Sequence, residues 1–368
     1  MSRRSIRALV LIALLAAAVV GCAHVPLRQG APPTNIILMI GDGMGVSHVT
    51  AAKIEGGSLN MERLPVGGFV TTHADGSLVT DSAASGTAFA TGEKTYNGAI
   101  SVSSSHEPLA TVLERAEERG MATGLVVTCS VTHATPAVFA AHVGDRSMDS
   151  AIAKQMASSG VDVLFGGGRS FFLPKEQSGA RDDREDLLKA LRRRMPVALS
   201  ASEFRKLGEV DAAAALLASE HPPPVGTRDP PLSELTEKAL EILSRDEDGF
   251  FLMVEGSQID WAGHENDHEW LVAETLDFDR AVGIVMDFAE EHGRTLVIVT
   301  ADHETGGYAV LDGSIKRQVV SRVHFGSDNH TAAMVPLLAY GPASESFGGI
   351  LDNTEVGRAL IGLVAGGR

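Results

Sequence analysis

Three short, mainly apolar runs each lead into a residue type that binds metal ions. They are residues 35–40 before Asp42, residues 250–254 before Glu255, and residues 295–300 before Asp302. Short apolar runs rich in β-branched residues are typical of strands buried on both faces, as in a parallel sheet between helices. Ligands bind beyond the carboxyl ends of such strands. We therefore expect acidic side chains from three distant segments to converge at one edge of the sheet.

Strand-like and helix-like segments alternate along the rest of the chain, which predicts an α/β fold. Further candidate strands are residues 124–128, 161–165 and 335–340, and candidate helices are residues 107–119, 183–194, 233–245 and 268–292. The prediction is a single domain over residues 35–366, with a doubly wound, mostly parallel central sheet flanked by helices. Residues 174–231, first charge-rich and then proline-rich, are interpreted as a peripheral excursion of that domain.

The N-terminal segment has the pattern of an export signal followed by a tether. Three arginines precede an apolar stretch at residues 8–20, which is short for a membrane span and typical of a signal peptide. Cys22 then resembles the lipidated cysteine of bacterial lipoproteins, with a plain secretion signal as the alternative. Residues 1–21 are thus predicted to be a lipoprotein signal peptide, and residues 22–34 the lipidated cysteine and a tether. An exported, periplasmic, lipid-anchored protein is expected, and Ala23 favours the outer membrane over the inner one.

Charge and cysteine content exclude some classes of function. The formal net charge is −16, which argues against nucleic acid as a partner, because nucleic-acid-binding surfaces are basic. The chain has two cysteines, and lipidation of Cys22 would leave Cys129 without a disulfide partner. Because the chain is acidic overall, any recognition of an anionic substrate must come from local metal ions and a local arginine.

The run TDSAASGTA at residues 80–88 places Ser82 where a helix is expected to begin. A helix N-terminus offers unpaired N–H groups and the positive end of the helix dipole, so it favours a bound anion. Serine is a poor nucleophile until a base or a metal ion activates it. No Gly-x-Ser-x-Gly motif surrounds Ser82, so metal activation is the better hypothesis. A simple helix cap is the alternative, because Asp and Ser often cap helices.

Six segments together resemble the alkaline phosphatase family, in order and with similar spacing. They are GDGMG at 41–45, TDSAASGTA at 80–88, THATPA at 132–137, VEGSQIDWAGH at 254–264, TADHETGG at 300–307 and NHT at 329–331. The resemblance extends from about residue 35 to residue 342, which is most of the chain. It implies an alkaline phosphatase-like catalytic domain.

The resemblance also implies a role for each matching residue, with two Zn²⁺ and one Mg²⁺ per chain. Ser82 matches the nucleophile that becomes a phosphoserine, and Arg146 matches the arginine that holds two phosphate oxygens. The implied metal ligands are Asp42, Asp302 and His303 for one zinc, Asp260, His264 and His330 for the other, and Asp42, Thr135 and Glu255 for magnesium. These sets agree with metal chemistry, because mixed histidine and carboxylate ligands suit zinc, and all-oxygen ligands suit magnesium.

Two positions that vary within the family leave the third metal open. They are His133 and Trp261, where some relatives have an aspartate and a lysine. His133 could make a water-mediated contact or bind a metal ion itself, while Trp261 contributes bulk and no charge.

One motif suggests a different enzyme and is rejected. The sequence from His264 to His268 fits the H-E-x-x-H pattern of zinc proteases, which requires both histidines within one helix. Asn266 or Asp267 is instead expected to cap a following helix, so the two histidines would not share one helix.

The leading hypothesis is a metal-dependent alkaline phosphatase that hydrolyses small phosphate monoesters through a phosphoserine intermediate. One alternative is a phosphodiesterase or sulfatase of the same superfamily. Another is a non-catalytic lipoprotein that binds phosphate or zinc. A homodimer is implied only by the resemblance, since relatives are often dimers.

Overall fold

A computed structural model describes residues 32–366. Eleven α-helices are described: α1 Val46–Gly56, α2 Ser82–Thr91, α3 Val112–Glu118, α4 Ala134–Ala140, α5 Asp149–Ser158, α6 Leu187–Leu191, α7 Ala201–Phe204, α8 Leu232–Leu243, α9 Gln258–His264, α10 His268–His292 and α11 Asn353–Val364. The strands are β1 Asn35–Gly41, β2 Val66–Thr71, β3 Ala122–Ser130, β4 Val163–Gly167, β5 Val197–Ala198, β6 Ala213–Leu216, β7 Phe250–Gly256, β8 Thr295–Thr300, β9 Glu304–Thr305, β10 Tyr308–Ser314, β11 Val319–Phe325, β12 His330–Thr331, β13 Val335–Tyr340 and β14 Gly349–Asp352. The predicted signal peptide and the lipidation site at Cys22 lie outside the described residues.

A ten-stranded sheet forms the centre of the fold, in the order β14-β2-β13-β8-β1-β7-β3-β4-β6-β5. Its pairings are parallel except those of β13, which runs antiparallel to both β2 and β8. Helices flank the sheet in a single domain. The predicted α/β class, with a doubly wound and mostly parallel sheet, is therefore confirmed.

The register of the central strands explains why the acidic residues converge. In β1, Ile40 is aligned with Glu255 of β7 on one side and with Thr300 of β8 on the other. Nearly every residue of these three strands is buried, as expected for strands covered on both faces. Because the strands are parallel and in register, their carboxyl ends place Asp42, Glu255 and Asp302 at one edge of the sheet.

Two predicted helices are shorter in the structure than the apolar pattern indicated. The helix expected at residues 107–119 begins only at Val112, because Thr111 caps it: the Thr111 hydroxyl accepts from the Glu114 N–H, and the Glu114 carboxylate accepts from the Thr111 N–H. The helix expected at residues 183–194 is limited to α6, which Asp186 caps by accepting from the Lys189 N–H. By contrast, α10 has its predicted bounds.

The segment at residues 174–231 supplies β5, which is one edge strand of the sheet, and β6, which lies next to it. Its proline-rich end is attached to α10 by a buried ion pair, since the Arg228 guanidinium contacts both Glu274 and Asp277. Its contacts therefore reach both the sheet and the longest helix. Among residues 32–366, no helix combines the length and apolar character that a membrane span requires.

Candidate metal centre and active site

Gly43 lets the chain turn sharply after β1, and this turn directs Asp42 into the site. Gly43 has φ of +71°, and a Cβ atom there would lie 2.7 Å from the Thr305 hydroxyl and 2.8 Å from the Asp260 backbone. Its N–H donates to Asp302 Oδ1 at 3.1 Å. A larger residue would therefore be strained and would separate segments that must touch.

The first group of candidate ligands is fully buried and consists of Asp42, Asp302 and His303. His303 Nε2 lies 3.5 Å from Asp42 Oδ1 and 3.4 Å from Asp302 Oδ2. These are the residues that the sequence predicted for one zinc. Two carboxylates and an imidazole within this distance could bind one cation together.

The second group consists of Asp260, His264 and His330, the residues predicted for the other zinc. His264 Nε2 lies 3.3 Å from Asp260 Oδ2, and His330 Nε2 lies 3.4 Å from Asp260 Oδ1. The two Nε2 atoms are 3.1 Å apart. Three potential ligand atoms therefore face one another from α9 and β12.

Backbone carbonyls determine the tautomers of these two histidines. His264 Nδ1 lies 2.7 Å from the Asp328 carbonyl, and His330 Nδ1 lies 2.9 Å from the Thr80 carbonyl. A carbonyl only accepts, so each Nδ1 carries the hydrogen in the neutral imidazole. Both Nε2 lone pairs then point inward, as in metal-binding histidines.

Thr305, which sequence reasoning did not select, connects the two groups. Its hydroxyl donates to Asp260 Oδ1 and lies 3.2 Å from His303 Nδ1. Since the hydroxyl hydrogen is used by the carboxylate, His303 Nδ1 must donate to the hydroxyl oxygen. This leaves the His303 Nε2 lone pair facing the first group.

The third group includes the predicted ligands Thr135 and Glu255, both buried. Cys129, His133 and Glu255 each offer one potential ligand atom within 4.8 Å of the others. The Cys129 thiol is 3.5 Å from Glu255 Oε2. Burial and the nearby carboxylates raise the pKa of this thiol well above its usual value, so Cys129 stays protonated, as a buried apolar side chain would.

Several buried oxygens of the first and third groups have no hydrogen-bond partner within residues 32–366. They are Asp42 Oδ1 and Oδ2, Asp302 Oδ2, Glu255 Oε1 and Thr135 Oγ1. Buried polar atoms are almost always paired, and unpaired oxygens that face one another offer the ligands that a bound cation would use. The oxygens therefore fit divalent metal ions.

The electrostatics agree with that interpretation. Burial raises the pKa of Asp302 to about 6 and that of Glu255 to about 7. Burial and the carboxylates of Asp302, Asp260 and Glu255 raise the pKa of Asp42 well above its ordinary value. A bound cation would remove this mutual repulsion and keep all these carboxylates ionised.

Ser82 is the first residue of α2, as the sequence predicted, and it is buried beside the first group. Its hydroxyl lies 3.3 Å from His303 Nε2. Asp81 is the residue that caps α2, and its Oδ1 accepts from the Ala84 N–H at 2.9 Å. Because Asp81 performs the capping, the Ser82 hydroxyl is available for chemistry.

The Arg146 guanidinium reaches the N-terminus of α2 and makes two hydrogen bonds to side chains. Its Nη1 donates to Asp81 Oδ2 at 3.0 Å, and its Nη2 donates to His133 Nε2 at 3.1 Å. Burial and the Arg146 charge lower the pKa of His133 to about 3, so the imidazole is neutral. His133 therefore supports Arg146 through Nε2, and its Nδ1 carries the hydrogen and cannot bind a metal ion.

Trp261 lies next to His133, with ring centroids 6.1 Å apart, and closer still to His221, at 4.8 Å. His221 Nδ1 accepts from the Ser130 N–H at 3.0 Å. The sequence suggested no role for His221. It belongs to the segment interpreted as a peripheral excursion, and it contributes one wall of the site.

The H-E-x-x-H pattern does not form a protease site. His264 ends α9 and His268 begins α10, and the Asp267 carboxylate caps α10 by accepting from the Trp270 N–H at 3.0 Å. His268 instead contacts Tyr308 and Glu55. The two histidines thus belong to different helices.

A site with two histidine–carboxylate groups, a buried serine and an arginine is suited to bind an anion between metal ions. Within a doubly wound α/β fold, this combination is suited to the metal-dependent hydrolysis of anionic esters.

Comparisons with known proteins identify the family. The family model described as alkaline phosphatase matches residues 33–318. Alkaline phosphatase 3 of Bacillus subtilis is 33% identical, covering 89% of this chain and 88% of its own. The alkaline phosphatase of the Antarctic bacterium TAB5 has a TM-score of 0.84 and 36% identity, over 92% of this chain and 100% of its own. A histidine-to-aspartate variant of the TAB5 enzyme, with magnesium bound in its M3 site, has a TM-score of 0.82 and 36% identity, over 91% of this chain and 99% of its own. The chain belongs to the alkaline phosphatase family.

Proposed function

We propose that this alkaline phosphatase hydrolyses phosphate monoesters through a phosphoserine at Ser82. The observation that carries the proposal is the position of the Ser82 hydroxyl, buried at the start of α2 and 3.3 Å from His303 Nε2. His303 and its neighbours form the first ligand group, so the nucleophile and the candidate metal ligands share one place. A helix N-terminus also favours the negative charge of the phosphoryl group.

The metal content proposed is two Zn²⁺ and one Mg²⁺ per chain. Asp42, Asp302 and His303 would hold one zinc, and the second ligand group would hold the other, because both sets mix carboxylate and imidazole. Asp42, Thr135 and Glu255 would hold magnesium, because only their oxygens remain when the His133 lone pair is taken by Arg146. When bound, the ions would supply Lewis-acid stabilisation of negative charge on the attacking and leaving oxygens.

In the first half of the reaction, Ser82 Oγ forms a bond to phosphorus and the bond from phosphorus to the alcohol oxygen breaks. The serine hydroxyl proton passes to solvent, and the alcohol oxygen takes a proton from water. Arg146 would orient two oxygens of the phosphoryl group, since its guanidinium is held in place by Asp81 and His133. In the second half, a water oxygen bonds to phosphorus and the bond from phosphorus to Ser82 Oγ breaks. A proton from that water returns through solvent to Ser82 Oγ, and inorganic phosphate leaves.

Phosphate monoesters fit this site better than diesters. A monoester offers two free anionic oxygens to Arg146 and another to the metal groups, whereas a diester lacks one of them. The third ligand group and Arg146 occur together here, which supports monoester hydrolysis. The comparison of phenyl phosphate with its phenyl diester tests this preference.

The matched pair Ser82→Ala and Ser85→Ala tests the nucleophile. Both residues are buried in α2, but Ser85 donates its hydroxyl to the Asp302 carbonyl at 2.7 Å. We expect Ser82→Ala to lose more than about a hundredfold in kcat/KM for phenyl phosphate, and Ser85→Ala to lose less than about tenfold. Acid-quenched enzyme should carry one phosphate on the peptide that contains Ser82. A Ser82→Ala enzyme with near-normal turnover, or no phosphopeptide, would contradict the proposal.

We also propose export and lipid attachment at Cys22, on the strength of the signal-like residues 1–21. The expected location is the periplasmic side of a membrane, with the outer membrane favoured. Incorporation of labelled palmitate into the full chain, compared with Cys22→Ser, tests the anchor. Membrane fractionation then distinguishes the two membranes.

A homodimer is proposed on the basis of an apolar pair at the edge of the sheet. Ile350 of β14 is aligned with Phe69 of β2, and they are 64% and 44% exposed. Large apolar side chains that are exposed next to each other are typical of contact surfaces. Light scattering of the wild type and of Ile350→Lys should give a dimer and a monomer, respectively.

A further inference from the structure

A cavity of about 690 Å³ opens directly beside the second ligand group. It is lined by Trp261, His264, Glu265, Asp267 and Trp270, which come from the end of α9, the following turn and the start of α10. The chain contains only two tryptophans, and both line this cavity. Aromatic walls next to a catalytic centre are typical of a binding subsite.

Each indole ring is held in place by neighbouring residues. Trp261 packs edge-to-face on His221, with ring planes at 78°. Trp270 Nε1 donates to Glu274 Oε1 at 3.0 Å, and Glu274 is itself held by the buried Arg228. The walls of the cavity are therefore fixed before any ligand binds, which reduces the entropy cost of binding.

The charge of the cavity is negative. Glu265 and Asp267 are both exposed to it, and neither lysine nor arginine lines it. Within residues 32–366, the Glu265 carboxylate has no hydrogen bond or ion pair. Carboxylates and the faces of indole rings both attract organic cations.

The position of His264 indicates which part of a substrate would enter. His264 belongs both to the second ligand group and to the cavity wall. Ser82 contacts the first group, so a leaving oxygen in line with Ser82 would lie toward the second group, and the rest of the alcohol would extend into the cavity.

We propose that this cavity is the leaving-group subsite and that it selects phosphate monoesters of alcohols that carry an organic cation, such as a quaternary ammonium group. This inference rests on the proposed function. The metal ions do not reverse the preference, because the charge of three divalent ions is offset by the four carboxylates of the ligand groups and by the phosphate dianion. Glu265 and Asp267 then determine the local field.

The test compares phosphocholine with 3,3-dimethylbutyl phosphate, which has the same shape without the positive charge. We expect kcat/KM for phosphocholine to exceed that of the neutral ester by about tenfold or more. The variants are Trp270→Leu and the double variant Glu265→Gln, Asp267→Asn, in which asparagine retains the helix cap. Each should reduce the ratio of phosphocholine to neutral-ester kcat/KM at least about fivefold, because each removes an interaction that only the cationic alcohol makes in full.

Glu269→Gln is the matched control, because Glu269 is exposed on the same turn of α10 and does not line the cavity. Its ratio should equal that of the wild type. The inference is overturned if the ratio is the same in all variants, or if the cavity variants slow both esters equally. If neither ester nor phenyl phosphate is hydrolysed, the proposed function fails instead.

A binding measurement keeps the inference testable without turnover. Both tryptophans line the cavity, so intrinsic fluorescence reports its occupancy. Choline chloride should change the emission saturably, while equal concentrations of 3,3-dimethylbutanol or sodium chloride should not. Absence of a choline-specific change would refute the subsite.

Discussion

Removal of the metal ions should destabilise the protein by an amount comparable to its whole folding free energy. Five buried oxygens of the first and third ligand groups have no partner within residues 32–366: Asp42 Oδ1 and Oδ2, Asp302 Oδ2, Glu255 Oε1 and Thr135 Oγ1. Each buried, unpaired polar atom costs about 1–3 kcal/mol, and more when charged. The total is roughly 5–15 kcal/mol, which is the usual range of a protein's free energy of unfolding.

The cost should depend on pH with a definite sign. Burial raises the pKa of Asp302 to about 6 and that of Glu255 to about 7 in the metal-free fold. A folded-state pKa above the unfolded value means that stability is retained at low pH and lost as the pH rises through the folded value. The unfolded pKa values lie near 4 and the folded values are about 6 and about 7, so metal-free protein should lose stability between about pH 4 and pH 7. The metal-loaded protein should not show this loss.

The assay is thermal unfolding of protein stripped with EDTA and 1,10-phenanthroline, with metal content measured by mass spectrometry. We expect the melting temperature at pH 8 to fall by more than about 10 °C and to recover when Zn²⁺ and Mg²⁺ are restored. A metal-free melting temperature within about 2 °C of the loaded value would refute the reasoning.

Asp302→Asn provides an internal check on the same argument. Asp302 Oδ1 accepts from the Gly43 and His303 N–H groups, each at 3.1 Å, and an amide oxygen can do the same. In the variant, an amide replaces the Asp302 carboxylate beside Asp42, which removes the repulsion between the two negative charges. Metal-free Asp302→Asn should thus be more stable than metal-free wild type at pH 8, by about 1–3 kcal/mol, although it binds less metal.

Three further predictions concern single side chains. Arg146→Lys should reduce kcat/KM for phosphate monoesters by about 10- to 100-fold, because a lysine cannot hold two phosphate oxygens at once. Thr305→Val should weaken zinc binding by about 10- to 100-fold, measured by chelator competition, because His303 loses the hydroxyl that orients it. His142→Gln should cost about 1 kcal/mol at pH 6 and almost nothing at pH 9, measured by urea unfolding, because it removes an ion pair with Glu114.

The direction of the pH dependence predicted for His142→Gln follows from the pKa shifts of both His142 and Glu114. The hydrogen bond to Glu114 raises the pKa of His142, so its contribution is present below about pH 6.5 and is lost as the pH rises through the raised value. Burial alone would raise the pKa of Glu114, but hydrogen bonds from His142 and Thr111 outweigh it and lower that pKa. The Glu114 contribution is therefore present above about pH 4.5 and is lost only in stronger acid. An equal cost at pH 6 and pH 9 would contradict the argument.

Much of the site could be predicted because it depends on local sequence. A short, buried strand followed by glycine and an acidic residue determines both the strand and the position of its ligand, as at Asp42 and Glu255. The N-terminus of α10 was also predictable from the sequence, since Asp267 caps it as the residue pattern indicated. In each case the signal lies within a few residues of the structure that it produces.

The supporting contacts could not be predicted, because they join segments far apart in the chain. Thr305 orients His303 locally but also donates to Asp260, 45 residues away. His221 packs on Trp261 only because the proline-rich segment folds back over the site. Nothing near His221 in the sequence distinguishes it from an ordinary surface histidine, and the segment at 300–307 gives no sign that the Thr305 hydroxyl reaches Asp260.

The order of the strands was not predictable either, yet this did not affect the predicted convergence of ligands. In the sheet, β1 lies between β7 and β8, which are more than 200 residues away along the chain. Any parallel arrangement brings the carboxyl ends of strands to the same edge, so the prediction depended on strand direction and not on strand neighbours. By contrast, the cavity with Trp261 and Trp270 depends on the angle between α9 and α10, which the short turn at Glu265–Asp267 sets. A property that follows from strand direction can thus be predicted from sequence, whereas one that depends on a helix angle requires the structure.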